Sequence, residues 1–116
     1  MSQETPAAVS HVLTIRVGAD EARRSSMIDT LRGITGPTQA HPRCRRVGIY
    51  LAVDDPGELT LIEEWETLEA MTAHFHTQEF RAVLSVIDMS NKEPEVRLDS
   101  VTFRGGFDHL ARMFKD

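Results

Sequence analysis

Leu59-Thr60-Leu61-Ile62-Glu63-Glu64-Trp65-Glu66-Thr67-Leu68-Glu69-Ala70-Met71-Thr72-Ala73-His74-Phe75 reads as a strand that runs straight into a helix. Residues two apart share one face of a pleated strand, so Leu59, Leu61, Glu63 and Trp65 point the same way and an acid stands on an apolar face. From Thr67 the period changes. Leu68, Met71 and Phe75 fall three and four apart, the stripe of a helix. Thr67 is a good N-cap, and Glu69 sits in the first turn, where the helix dipole favours an anion. An acid and an indole on one strand face, beside a helix that carries His74, make this the chemically most suggestive part of the chain.

Working outward, residues 10–17 form a first strand, with His11, Leu13, Ile15 and Val17 on one face and Val12, Thr14 and Arg16 on the other. Asp20 is placed to cap a helix through about Thr35, whose stripe is Met27, Leu31 and Ile34 and which Gly36-Pro37 disturbs or ends. A second strand over about 43–53 puts Val47, Ile49, Leu51 and Val53 on one side and Cys44, Arg46, Gly48, Tyr50 and Ala52 on the other. Asp54-Asp55-Pro56-Gly57 is a turn, so the second and third strands make a hairpin. Thr77 caps a further helical segment with Phe80, Val83, Leu84 and Ile87 inward, and a fourth strand spans about 95–103.

The order is β-α-β-β-α-β, a split βαβ or ferredoxin-like α+β fold: a four-stranded antiparallel sheet with its helices on one face. The domain covers residues 10–103, preceded by a flexible tail over 1–9. A C-terminal extension over 104–116 has Phe107, Leu110, Ala111 and Phe114 on one helical side. The helix-free sheet face would carry Val12, Thr14, Tyr50, Ala52 and Ile62, too apolar to meet water. A second copy covering it predicts a homodimer, in effect a dimeric α/β barrel.

At 116 residues the chain fits one domain, and its net charge of −5 argues against nucleic acid, which calls for a basic face. No apolar run is long enough for a membrane span, and no leader for export is evident. Cys44 has no second cysteine to pair with, so a reducing cytoplasm is the default, with Cys44 a small buried hydrophobe rather than a redox thiol. No phosphate loop, dinucleotide fingerprint or serine or cysteine nucleophile motif is present.

Pro42 and Cys44 before Tyr50, then Glu63-Glu64-Trp65-Glu66-Thr67-Leu68-Glu69-Ala70, His74, and Thr77 with Phe80 resemble the antibiotic biosynthesis monooxygenase family, over roughly residues 10–103. The resemblance implies a dimeric ferredoxin-like fold and oxygenation of quinol- or anthrone-like aromatics by molecular oxygen, without metal, flavin or haem. The family also holds sugar-phosphate isomerases and haem-degrading members. Where the haem-degrading type carries a histidine, this chain has Val83 and Leu84. Leu61 replaces a polar amide of the anthrone-oxidising type, and Glu79 replaces a second histidine found in many relatives.

Such a reaction needs a base that titrates near neutrality, donors for the substrate anion and a dry aromatic cavity. His74 is the candidate base and Glu63 the acid that orients it or holds its proton. Trp65 supplies a ring and one N–H, and His11, Tyr50, Met71 and Phe80 are candidate substrate contacts. The expectation is that residues 63, 65 and 74 converge on a shared hollow. Each also has a plainer reading: Trp65 as core filling, His74 as a capping or part-exposed histidine, Glu63 as half of an ion pair with an arginine. His76, two residues from His74, points elsewhere, and Arg43, Arg45 and Arg46 read as a solvated strand edge. The alternative functions are an isomerase or other small-molecule enzyme using the same cavity, and a non-catalytic dimeric ligand-binding module.

Overall fold

The computed structural model describes residues 8–115 of the chain. Four strands, β1 (Ser10–Gly18), β2 (Cys44–Leu51), β3 (Glu58–Trp65) and β4 (Glu95–Val101), form one antiparallel sheet in the order β2-β3-β1-β4. Helices α1 (Arg24–Gln39), α2 (Leu68–His74) and α3 (Gln78–Asp88) follow the predicted β-α-β-β-α-β order, and α4 (Phe107–Phe114) ends the chain. The ferredoxin-like arrangement is therefore present, with the helix between β3 and β4 divided in two by a break at Phe75–Thr77. The tail predicted over 1–9 lies, for residues 1–7, outside the described residues. Val9 donates its N–H to the Val101 carbonyl at 2.7 Å and so is tied to β4.

The core sits between the sheet and α1–α3. Leu13, Ile15, Val17, Leu59, Leu61 and Trp65 of the central strands meet Met27, Leu31 and Ile34 of α1, Met71 of α2 and Phe80, Val83 and Val86 of α3. Two leucines depart from the predicted stripes. Leu68 and Leu84 are 57% and 47% exposed, and their places are taken by His74 and Val86. Helix α1 also outlasts its predicted end. Pro37 lies inside it, and the Ala40 N–H still reaches the Gly36 carbonyl at 3.0 Å. Proline disfavours a helical predecessor chiefly by a clash involving that residue's Cβ, and Gly36 has none. Asp20 accepts from the Arg23 N–H at 2.9 Å, capping a leading turn rather than the regular helix.

On β2 the expected alternation breaks near its start. Cys44 pairs with Trp65 and Arg46 with Glu64, so Arg45 is an extra residue in a β-bulge. Cys44 therefore turns to the helix side and is buried, whereas Arg46 and Tyr50 remain on the other face. Burial pushes the Cys44 thiol above its ordinary pKa, against a bond from the Arg46 backbone and with help from the Glu63 and Glu64 charges. Such a thiol behaves as a hydrophobe. Among the described residues no helix is long and apolar enough to cross a membrane.

Candidate active site

Strand β3 delivers its acids to opposite faces. Glu63 and Trp65 turn toward the helices; Glu64, between them, turns away. The break after α2 allows the second half of the site to form. Thr67 caps α2 by accepting from the Ala70 N–H at 3.1 Å, and Thr77 caps α3 by accepting from the Phe80 N–H at 3.3 Å. His74 closes the last turn of α2, over β3.

The three side chains meet. Glu63 accepts the Trp65 Nε1–H on Oε1 at 3.1 Å, and its Oε2 lies 3.2 Å from His74 Nε2. Glu63 and Trp65 are fully buried and His74 is 5% exposed. An ionised carboxylate can only accept, so Nε2 carries the hydrogen in this pair. The other imidazole nitrogen is less committed. Thr77 Oγ1 lies 3.5 Å from Nδ1, but the Thr77 hydroxyl donates to the His74 carbonyl at 2.7 Å. In the tautomer with its hydrogen on Nε2, Nδ1 keeps a lone pair. The imidazole packs against Trp65, with ring centres 4.9 Å apart, and edge-on to Phe80 at 5.6 Å; Phe75 adds a further ring 4.7 Å from Phe80.

The three side chains converge as expected, while the surface hollows beside Arg104, Arg45, Ile49, Arg97 and Thr72 are lined by other residues. Among the described residues no arginine pairs with Glu63; near this end of β3, Arg46 and Arg104 go to Glu64 on the far face and Arg45 to Glu66. The remaining candidates divide. Met71 is core, and Phe80 is in the cluster. His11 sits directly across from Trp65 on the helix side, but its Nδ1 pairs with Ser100 Oγ at 3.1 Å rather than with Glu63. Tyr50 is separated from the site by the sheet: it pairs with Thr60 on the opposite face, is 42% exposed and lies back over Gly48.

Two features escaped the sequence reading. His41, in the exposed loop between α1 and β2, stands edge-on to Trp65 with ring centres 5.2 Å apart. The helices also leave β4 uncovered. Leu13 and Ile15 are 2% and 3% exposed, yet their cross-strand partners Leu98 and Val96, on the same face, are 58% and 57% exposed. With His11 and Ser100 they form an apolar shelf with a polar end, one strand beyond the Trp65–His11 pair. Among the described residues, no three His, Cys, Asp or Glu side chains gather to hold a metal ion.

A sequence model described as antibiotic biosynthesis monooxygenase matches residues 10–85. No curated relative matches the chain. Among solved structures, a proposed antibiotic biosynthesis monooxygenase from Nitrosomonas europaea superposes with a TM-score of 0.76 at 15% identity, covering 89% of this chain and 100% of that one. One from Deinococcus radiodurans gives 0.75 at 14% identity, covering 84% and 97%. A conserved Bacteroides thetaiotaomicron protein of unknown function gives 0.69 at 20%, covering 84% and 100%. At these identities the superpositions speak for the fold.

Proposed function

The chain belongs to the antibiotic biosynthesis monooxygenase family, and from that premise we propose that it is a cytoplasmic, cofactor-independent monooxygenase of small quinol- or anthrone-like aromatics, working as a homodimer. The observation that carries this reading is the buried Glu63 bridging an indole N–H and an imidazole nitrogen. A carboxylate in apolar surroundings holds the ring in one tautomer and steadies the charge that appears when Nδ1 takes a proton. Substrate enters over the shelf of Val96, Leu98, Ser100 and His11 and reaches the imidazole as the rings of Phe75 and Phe80 give way.

The chemistry then needs only substrate and oxygen. His74 removes a proton from the activated methylene of an anthrone, and the delocalised anion passes one electron to O2. The two radicals combine at that carbon, and loss of water from the peroxide leaves a carbonyl. One oxygen atom ends in product and one in water. The sheet face that carries Val12, Thr14, Ile62 and Tyr50 is where the two copies meet.

Oxygen uptake by the metal-free protein with an anthrone or a reduced naphthoquinone tests this directly. Uptake above the spontaneous rate that falls to background in His74→Ala, and less in His11→Ala, supports the assignment. Loss with His11→Ala alone would move the base to the shelf. No uptake, with saturable quenching of Trp65 fluorescence by the same compounds, would identify a binding module instead.

A further inference from the structure

The outer edge of β2 leaves strong hydrogen-bonding groups unused. β2 is an edge strand of the sheet, and backbone groups two residues apart point the same way. The Ala52 N–H turns inward to the Glu58 carbonyl at 3.3 Å, whereas the Val47 N–H turns outward and donates to Gln39 Oε1 at 3.1 Å. Ile49 and Leu51 share the outward direction of Val47, and among the described residues nothing accepts from their N–H groups. Edge strands are ordinarily blunted by charge, proline or a bulge. β2 has its bulge and its arginines at its start, Arg45 and Arg46; the stretch from Val47 to Leu51 has neither charge nor proline.

A hollow of about 400 Å³ lies along this edge, lined by Ile28 and Arg32 of α1 and Ile49 and Leu51 of β2. Ile49 and Leu51 pair with Leu61 and Leu59, so their side chains stand on the helix side and join Ile28 in an apolar floor; Leu51 is 55% exposed. Arg32 is exposed and enters none of the ion pairs among the described residues. It lies between Ile28 and Gln39 on α1, and Gln39 closes the groove at Val47. The other end runs out past Val53, 99% exposed, to Asp54 and Asp55, which disfavour an anion there. The two free N–H groups stand about 7 Å apart, the repeat of an extended chain. We infer that the groove takes the C-terminus of an extended partner peptide as an added strand. Its backbone bonds to Ile49 and Leu51, its last apolar side chain meets the floor, and its terminal carboxylate meets Arg32. Direction follows from the closed end. A chain that enters past Val53 and stops before Gln39 runs antiparallel to β2 and ends beside Arg32. The groove shares no residue with the Glu63 cluster and is independent of the reaction proposed there.

Fluorescein-labelled hexapeptides ending in valine, leucine or phenylalanine, each as free acid and as C-terminal amide, test this on the full-length chain. Fluorescence anisotropy should show saturable binding of at least one acid, with its amide weakened about 10-fold or more. Arg32→Gln should erase the preference for the acid. Leu51→Pro should abolish binding with far-UV circular dichroism unchanged, since an edge strand tolerates proline where its N–H faces outward. Amide shifts on binding should centre on Ile49 and Leu51. No acid bound at about 1 mM, or equal affinity for acid and amide, would overturn the proposal. Isovalerate binding as tightly as the peptides would also overturn it and make the hollow a site for small acids. Self-association that Leu51→Pro removes would overturn it in favour of a second copy of this chain at the same edge.

Discussion

Glu63 and Glu64 are neighbours in sequence and opposites in surroundings. Glu63 lies on the helix side, fully buried, held by the Trp65 indole and the His74 imidazole. Glu64 lies on the open side, bonded to the Ser10 hydroxyl and ion-paired with Arg104 and, at 3.8 Å, Arg46. One step along a strand exchanges a partner that can lose its proton for partners that cannot. The first acid joins an imidazole and an indole inside the core, and the second holds the C-terminal segment to the sheet through Arg104.

Stability offers the largest test of that contrast. Glu63→Ala strands a buried indole N–H and an imidazole that has lost its acceptor, and should cost about 3–5 kcal/mol. Glu64→Ala releases two part-exposed arginines to water and one serine hydroxyl, and should cost about 1 kcal/mol. Urea unfolding of both variants reads the difference. Equal losses would mean that the open face is as dry as the core, and would support its cover by a second copy even at the dilution of the measurement.

What the sequence carried, and what it withheld, follows the range over which each feature is decided. Strands and helices were legible because Leu13-Ile15-Val17 and Met27-Leu31-Ile34 repeat at the two distinct periods. Thr67 and Thr77 were legible as caps because capping is settled within three residues. A partner for Glu63 was foreseen, since an acid among leucines needs one, but whether imidazole or guanidinium filled that role depends on how α2 crosses β3. The bulge at Arg45 left no trace in the alternation, so Cys44 was assigned to the wrong face; Tyr50, beyond the bulge, was placed on the right one, and only its listing as a substrate contact set it on the other side of the sheet from Glu63. Leu68 and Leu84 have helical spacing but lie where the stripe overhangs the sheet. His41 has no period at all, and only the fold brings its loop to Trp65.

The tether should show itself in acid. Burial alone would raise the Glu64 carboxyl, but the Ser10 hydrogen bond and then Arg104 and Arg46 outweigh it and hold the pKa below its ordinary value. A carboxyl depressed in the folded state binds its proton more readily when unfolded. Its contribution is therefore complete above the unfolded pKa of about 4.3 and is lost as pH falls through the lower, folded value. The stability gap between wild type and Glu64→Gln should be level from pH 7 to about pH 5 and narrow below that. A gap that narrowed instead between pH 7 and pH 6 would assign the dependence to a histidine.

The smallest expected effect separates packing from access at the Glu63 site. His41 is exposed, its Nδ1 accepts only the Arg43 N–H at 3.1 Å, and its ring covers an edge of an otherwise enclosed indole. His41→Ala should change stability by no more than about 0.5 kcal/mol, as for most surface substitutions. It should nonetheless increase acrylamide quenching of Trp65, because the covering ring is gone while the Nε1–H remains bonded to Glu63. If quenching is unchanged, Trp65 is shielded by the core alone and the α1–β2 loop is no route to the site. If it rises and oxygen uptake rises with it, the loop is a second way in, on the side of Trp65 away from the β4 shelf.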